Sequence, residues 1–304
     1  NTLWIGFSMM IGTTINNSLK VAEYIRKQNK DIPLVYGGPW PTISQKLTLS
    51  HPNVDYIAVG AADETIVQFT NYLLGVTKEF PKGIYSKDHL NEIDGSLNNF
   101  KQIIPNRGSY WRESYQLIPD IELYRSERNV ISLFASTSCV YGKCKFCSIM
   151  QPYKYFLRDR KDILDEISFL VNDNKFSSII FLDGLFFSNR KKTVDLIKGF
   201  QERNFKIEWK GRCRSDSLKK FSAKEIDLFR KTGLGVVAAG FESGSNKVLR
   251  SIKKGVKAED AFDLARLCKE SGLELQATYI FGLPGENVDD LKKSIDHIEK
   301  LKNI

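Results

Sequence analysis

Apolar and polar positions along most of this chain switch between a strand-like and a helix-like period. Residues 3–7 form a short apolar run of the kind that makes a buried strand, and Leu19, Ala22 and Ile25 follow at helical spacing. The strand signal returns at 34–36, ended by the turn Gly37-Gly38-Pro39, and at 54–59, ahead of a helix carrying Ile66, Phe69 and Leu73. This β-α-β-α order predicts a parallel sheet with right-handed crossovers. From about residue 75 the rhythm is lost among Pro81, Pro105, Pro119 and many polar residues, and 96–129 reads as a linker. Strands are predicted again at 130–135, 178–182, 206–211, 235–241 and 274–281. The intervening helices show i, i+3/i+4, i+7 spacing, as in Ile163, Ile167 and Leu170, or Leu291, Ile295 and Ile298. The fold class is therefore α/β. A Rossmann-like domain (1–95) precedes a partial β/α barrel of five units (130–304), in which chemistry gathers at the C-terminal strand ends.

Composition narrows the class without changing it. A 304-residue chain that is 42% hydrophobic and 12% aromatic is globular, with material for two domains. The 45 basic and 36 acidic residues leave a charge of +9, which would suit nucleic acid or an anionic substrate. The basic residues sit in short clusters, such as Arg158, Arg160 and Lys161, along predicted helices. They read as a solvated lysine-rich surface, and nucleic acid is not an expected partner. No apolar run approaches the ~18 residues of a membrane span. The opening Asn-Thr-Leu-Trp-Ile has no charged n-region, so a cytoplasmic location is expected. It also has no starting Met. The chain reads as a piece of a longer protein that lacks the first half of its first domain and the end of its barrel.

Candidate chemistry is concentrated after residue 135. Three of the five cysteines, Cys139, Cys144 and Cys147, fall within nine residues, a crowding that suggests metal more than disulfides. Three thiolates on one loop can hold three corners of a cubane iron–sulfur cluster, leaving one iron for an outside chelator. Zinc is the competing reading. Its structural sites usually want four Cys or His ligands, and His51, His89 and His297 are all distant in sequence.

The loop resembles the signature of the radical S-adenosylmethionine (SAM) superfamily, Cys-x3-Cys-x-aromatic-Cys, with Phe146 as the aromatic and one extra residue in the first spacer. The resemblance implies a [4Fe–4S] cluster on Cys139, Cys144 and Cys147, and SAM on its open iron. Later segments resemble the family's SAM contacts, one per strand end. Asp183-Gly184 would meet the SAM amino group, and Arg214, in Arg-Cys-Arg-Ser-Asp, its carboxylate. Glu242 and Ser243, in Gly-Phe-Glu-Ser-Gly, would approach the ribose or methionyl end, and Ile280 and Gly282, before Leu-Pro-Gly-Glu, the adenine. Cys213, at a strand end, is a weaker candidate as a hydrogen-atom donor; Cys268 reads as a core residue.

The first 75 or so residues resemble the cobalamin-binding domain that precedes many radical SAM barrels. Ser8-Met9-Met10 is followed, after residues 11–36, by Gly37-Gly38, matching the family's Ser-x-Leu and Gly-Gly with Met10 in place of Leu. Pro39 and Gly60 continue the match, while Ala61-Ala62 departs from it. The implied cobalamin would lie along the strand ends, touching Ser8, Met10, Gly37, Gly38, Pro39 and Gly60.

The resemblance implies reductive cleavage of SAM to a 5′-deoxyadenosyl radical, with methyl transfer to an unactivated carbon as the expected outcome. A radical cyclisation or rearrangement with the same cofactors is the alternative. A non-catalytic iron–sulfur or cobalamin carrier is a third reading, disfavoured by segments suited to gripping SAM. The implied partners are a small-molecule or peptide substrate and an electron donor such as flavodoxin or ferredoxin.

Overall fold

The computed structural model describes residues 2–93, 110–118, 120–124, 129–147 and 155–304. Of the expected linker, 110–118, 120–124 and 129 are among them; the rest lies outside the described residues. Chain contacts divide the molecule into two compact units.

The first unit runs β1 (Ile5–Ser8), α1 (Thr13–Gln28), β2 (Leu34–Gly37), α2 (Pro39–Ile43), α3 (Gln45–Leu49), β3 (Tyr56–Ala58), α4 (Asp63–Leu73) and β4 (Ile84–Ser86). The sheet order is β1-β2-β3-β4, with the first three strands parallel. β2 is buried on both faces, as a central parallel strand should be. Leu34 and Tyr36 join Ala22 of α1 and Leu49 of α3 on one side, while Val35 meets Phe69 of α4 on the other. β4 pairs antiparallel with β3, an element the periodicity does not predict because it offers only three residues.

The second unit begins with α5 (Tyr110–Gln116). It continues through β5 (Val130–Leu133), the two-stranded hairpin β6 (Ser136–Thr137) and β7 (Phe156–Leu157), α6 (Arg160–Ser168) and β8 (Ser178–Phe181). Then come α7 (Arg190–Glu202), β9 (Glu208–Cys213), α8 (Ala223–Lys231), β10 (Leu234–Glu242), α9 (Asn246–Ser251), α10 (Asp260–Glu270), β11 (Glu274–Tyr279) and α11 (Val288–Lys302). The sheet order is β11-β10-β9-β8-β5, parallel throughout, so the five predicted β/α units are all present.

One face of this sheet is packed by helices. Trp209, Gly211 and Cys213 of β9 are buried, Trp209 and Cys213 in that helix-covered core, together with Phe181, Val237, Ala239 and Phe241. Alternation sends Lys210 and Arg212 to the opposite face. This explains why β9 starts and ends two residues later than expected: Arg212-Cys213 looks unlike a strand, yet Cys213 pairs with Ala239.

Candidate active site

In the first unit, the predicted cofactor residues collect at the C-terminal ends of three parallel strands. Ser8 ends β1, Gly37 ends β2, and Gly60 follows β3. The loops are tied together. Met9 N–H donates to the Gly37 carbonyl (2.8 Å), Trp40 N–H to the Met9 carbonyl (3.1 Å), and Gly60 N–H to Thr42 Oγ1 (3.0 Å). Gly38 has φ +97° and lies so close to Met9 that an added Cβ would stand 3.0 Å from its carbonyl oxygen. Pro39 occupies the first turn of α2, where its missing N–H costs nothing. Met9 is buried, whereas Met10 and Ile11 are about half exposed on the rim. An apolar rim above a glycine-lined strand end suits the face of a large flat ligand.

In the second unit, the cysteine loop follows β6. Cys139 and Cys144 of this unit, and Cys147, which chain contacts group with the first unit, are half-buried thiols, none in a disulfide. Their side chains are on one loop, but among the described residues no three His, Cys, Asp or Glu side chains are gathered closely enough to hold a metal ion. Three thiols on one loop are a donor set that fits a cubane with one open corner.

The loop is fastened at several points. Asp183, after β8, is 1% exposed and accepts from Ala135 N–H (3.0 Å) and Ser136 Oγ (2.5 Å), which pins the start of the hairpin. Burial pushes this carboxyl above its ordinary range, opposed by those hydrogen bonds. Gly184, next to it, is exposed. Farther along, the Tyr141 hydroxyl donates to the Lys253 carbonyl (2.9 Å) and Lys145 N–H to the Ile252 carbonyl (2.9 Å). Phe146 and Ile280 pack together against Val248, Leu249, Ile252, Ala258 and Leu283.

Arg214 lies just past β9 with only 11% of its side chain exposed. Nε donates to Asp216 (3.0 Å), Nη2 to the Gly255 carbonyl (2.8 Å), and the guanidinium stacks 3.9 Å from the Tyr141 ring centroid. Nη1 is buried and without a partner among the described residues, a charged donor left unsatisfied. Glu242, the last residue of β10, forms a buried ion pair with Lys254. Ser243 turns away, its hydroxyl meeting Ser294 of α11 (3.1 Å) and accepting from Ser245 N–H (3.1 Å). Gly282 N–H donates to Glu286 Oε2 (2.6 Å), so Glu286 staples the Gly-Leu-Pro-Gly turn.

The structure thus brings Phe146, Ile280, Arg214 and Glu242 to the loops around the cysteines, and uses Asp183 and Ser243 in internal hydrogen bonds. Tyr141, Lys254, Gly255 and Glu286 escaped the sequence reading. Only Glu286, inside a recognised segment, carried any signal. Cys213 lies in the helix-packed core, where burial pushes its thiol up.

The family model described as Radical SAM superfamily matches residues 135–298, and the one described as B12 binding domain matches residues 1–70. The uncharacterized methyltransferase PH0819 of Pyrococcus horikoshii is 25% identical over 92% of this chain and 61% of its own length. The anaerobic magnesium-protoporphyrin IX monomethyl ester cyclase of Rubrivivax gelatinosus is 25% identical over 93% of this chain and 52% of its own. The chain therefore spans between half and two thirds of these relatives. Two solved structures share the fold. The cobalamin-dependent radical enzyme OxsB has a TM-score of 0.74 at 20% identity, over 97% of this chain and 43% of that one. The methyltransferase TsrM of Kitasatospora setae has a TM-score of 0.73 at 17% identity, over 99% of this chain and 61% of that one.

Proposed function

Because the chain belongs to the radical SAM superfamily, we propose that it is a methyltransferase that transfers a methyl group to an unactivated carbon of a small-molecule or peptide substrate. Its cofactors are a [4Fe–4S] cluster, SAM and cobalamin. Bound together, they supply an electron, a 5′-deoxyadenosyl radical and a methyl carrier. The protein's part is to grip, orient and exclude water. Cys139, Cys144 and Cys147 would hold the cluster, and Arg214 Nη1 would take the SAM carboxylate. Glu242 would face the ribose or methionyl end, Phe146, Ile280 and Gly282 would flank the adenine, and Gly184 would leave room at the amino group. Ser8, Met10, Gly37, Gly38, Pro39 and Gly60 would line the cobalamin. We take 1–95 and 130–304 as the two working domains, with a flavodoxin or ferredoxin as reductant.

The observation that supports this most is the buried Arg214 Nη1, without a partner among the described residues, on a guanidinium stacked over Tyr141 of the cysteine loop. The similarity to a cyclase favours a second reading, ring closure with the same cofactors. Among the described residues no helix is long and apolar enough to cross a membrane.

The test uses the full-length protein, reconstituted anaerobically and reduced with dithionite. About four iron per chain, release of 5′-deoxyadenosine and retention of hydroxocobalamin are expected. All three should fail selectively: the first two when the three cysteines become Ala, the last with Ser8→Trp. SAM cleavage without any cobalamin retention would remove the methyltransferase reading.

A further inference from the structure

Lys254 is buried, a rare state for lysine that demands a partner. Its Nζ donates to Glu242 Oε1 at 2.6 Å, with the two side chains 9% and 8% exposed. The same ammonium lies over the Phe146 ring, 5.6 Å from its centroid. The chain on either side of it is fastened to the cysteine loop and its surroundings. Ile252 and Lys253 carbonyls accept from Lys145 N–H and the Tyr141 hydroxyl, and the Gly255 carbonyl accepts from Arg214. Glu242 holds φ +64°, a conformation a glutamate keeps only when its surroundings impose it. Gly240 lies directly beneath, where an added Cβ would collide with the carboxylate.

A buried cation therefore fixes one oxygen of Glu242 and touches the aromatic residue between two of the thiols. We propose that Lys254 is a positioning residue that couples the grip on SAM to the geometry of the cluster loop. It does so by holding Glu242 of β10 and Phe146 in one fixed relation. This rests on Glu242 facing SAM. Lys254 would act through Glu242 and Phe146, setting where they stand, and not by gripping SAM itself. Removing it frees the carboxylate to turn and loosens the ring, so SAM binding and the cluster's response to SAM should fail together.

The experiment compares wild type, Lys254→Met, Lys254→Arg, Glu242→Gln and the double variant Glu242→Gln/Lys254→Met, each full-length and anaerobically reconstituted. Iron content, the SAM dissociation constant, and the EPR signal of the reduced cluster with and without SAM are measured. Lys254→Met should keep its iron, bind SAM about 10- to 100-fold more weakly, and lose the SAM-induced change in the EPR signal. Lys254→Arg, which keeps the cation, should recover most of both. The double variant should bind SAM no worse than Glu242→Gln, because the two residues act as one unit. That variant also leaves no unpaired charge buried, so it carries the test if Lys254→Met folds poorly. Unchanged SAM affinity in Lys254→Met, or additive losses in the double variant, overturns the proposal while leaving Glu242 in its role. Unchanged affinity in Glu242→Gln overturns the SAM-facing role first, and the proposal with it.

Discussion

Gly38 has two candidate reasons for being glycine, and the structure separates them. Its φ of +97° and ψ of −172° fall in a region that is essentially glycine-only, and the Met9 carbonyl oxygen would stand only 3.0 Å from an added Cβ. The backbone therefore requires glycine there whether or not a cofactor approaches. We expect Gly38→Ala to destabilise the first unit by about 1–3 kcal/mol, seen in urea unfolding with cobalamin present or absent. Ser8→Trp, at an exposed strand end, should leave that transition unchanged. A Gly38→Ala variant as stable as wild type would show that the turn tolerates a side chain. Gly255 is a second such position: with φ +68°, an added Cβ would run into the Tyr141 hydroxyl. Neither requirement is legible in the sequence, where Gly37-Gly38-Pro39 reads only as a turn and Gly255 carries no signal. Tyr141 looked like an ordinary spacer residue because its partners, Arg214 and Lys253, are far away in sequence.

At the scale of elements, α6 is anchored by an ion cluster. Arg158 pairs with Asp162 and Glu166 at 2.6 Å each, and all three side chains are no more than a tenth exposed. Tyr115 and Trp111 of α5 donate to the same two carboxylates, at 3.1 and 2.9 Å. Arg158→Met would strand two buried carboxylates, and should cost about 3–5 kcal/mol in chemical denaturation of the apoprotein. A loss below 1 kcal/mol would show the carboxylates to be solvated instead. The sequence presented Arg158 as one member of a solvated basic cluster; nothing local distinguishes a buried arginine from an exposed one.

The last β/α unit carries a pH-dependent contact. Asp290, in the first turn of α11, is held at about 2 by Lys247 and then Ser245, against an ordinary 3.8. The folded value is the lower one, so the stabilisation is complete above about pH 4 and is lost as pH falls through about 2. Asp290→Asn should flatten the stability of the second unit across that window and leave its slope between pH 5 and 8 unchanged. An unaltered acid limb would mean that other carboxylates set it.

For the whole molecule, period alone recovered both parallel sheets, since a buried strand and an amphipathic helix each bury a face the chain must spell out. The antiparallel β4 and the β6–β7 hairpin were invisible, being two or three residues long. Candidate site residues stand out in the sequence where chemistry crowds them locally, as with the three cysteines. Lys254 becomes a candidate only through its packing, and packing is not written in any short window of sequence.

The fastening of the cysteine loop also imposes an order in time. Tyr141 and Lys253 are separated by 112 residues, so a ribosome adding about 5–20 residues per second would emit the thiols roughly 6–22 s before their clasp exists. During that interval the cysteines hang on an unfinished chain, as open to oxygen as to iron. If the three cysteines hold the proposed cluster, iron delivered then would meet three loose ligands, and iron delivered after residue 255 has emerged would meet a loop already braced by Tyr141 and Arg214. Cluster assembly on the braced loop would then follow the making of most of the second sheet.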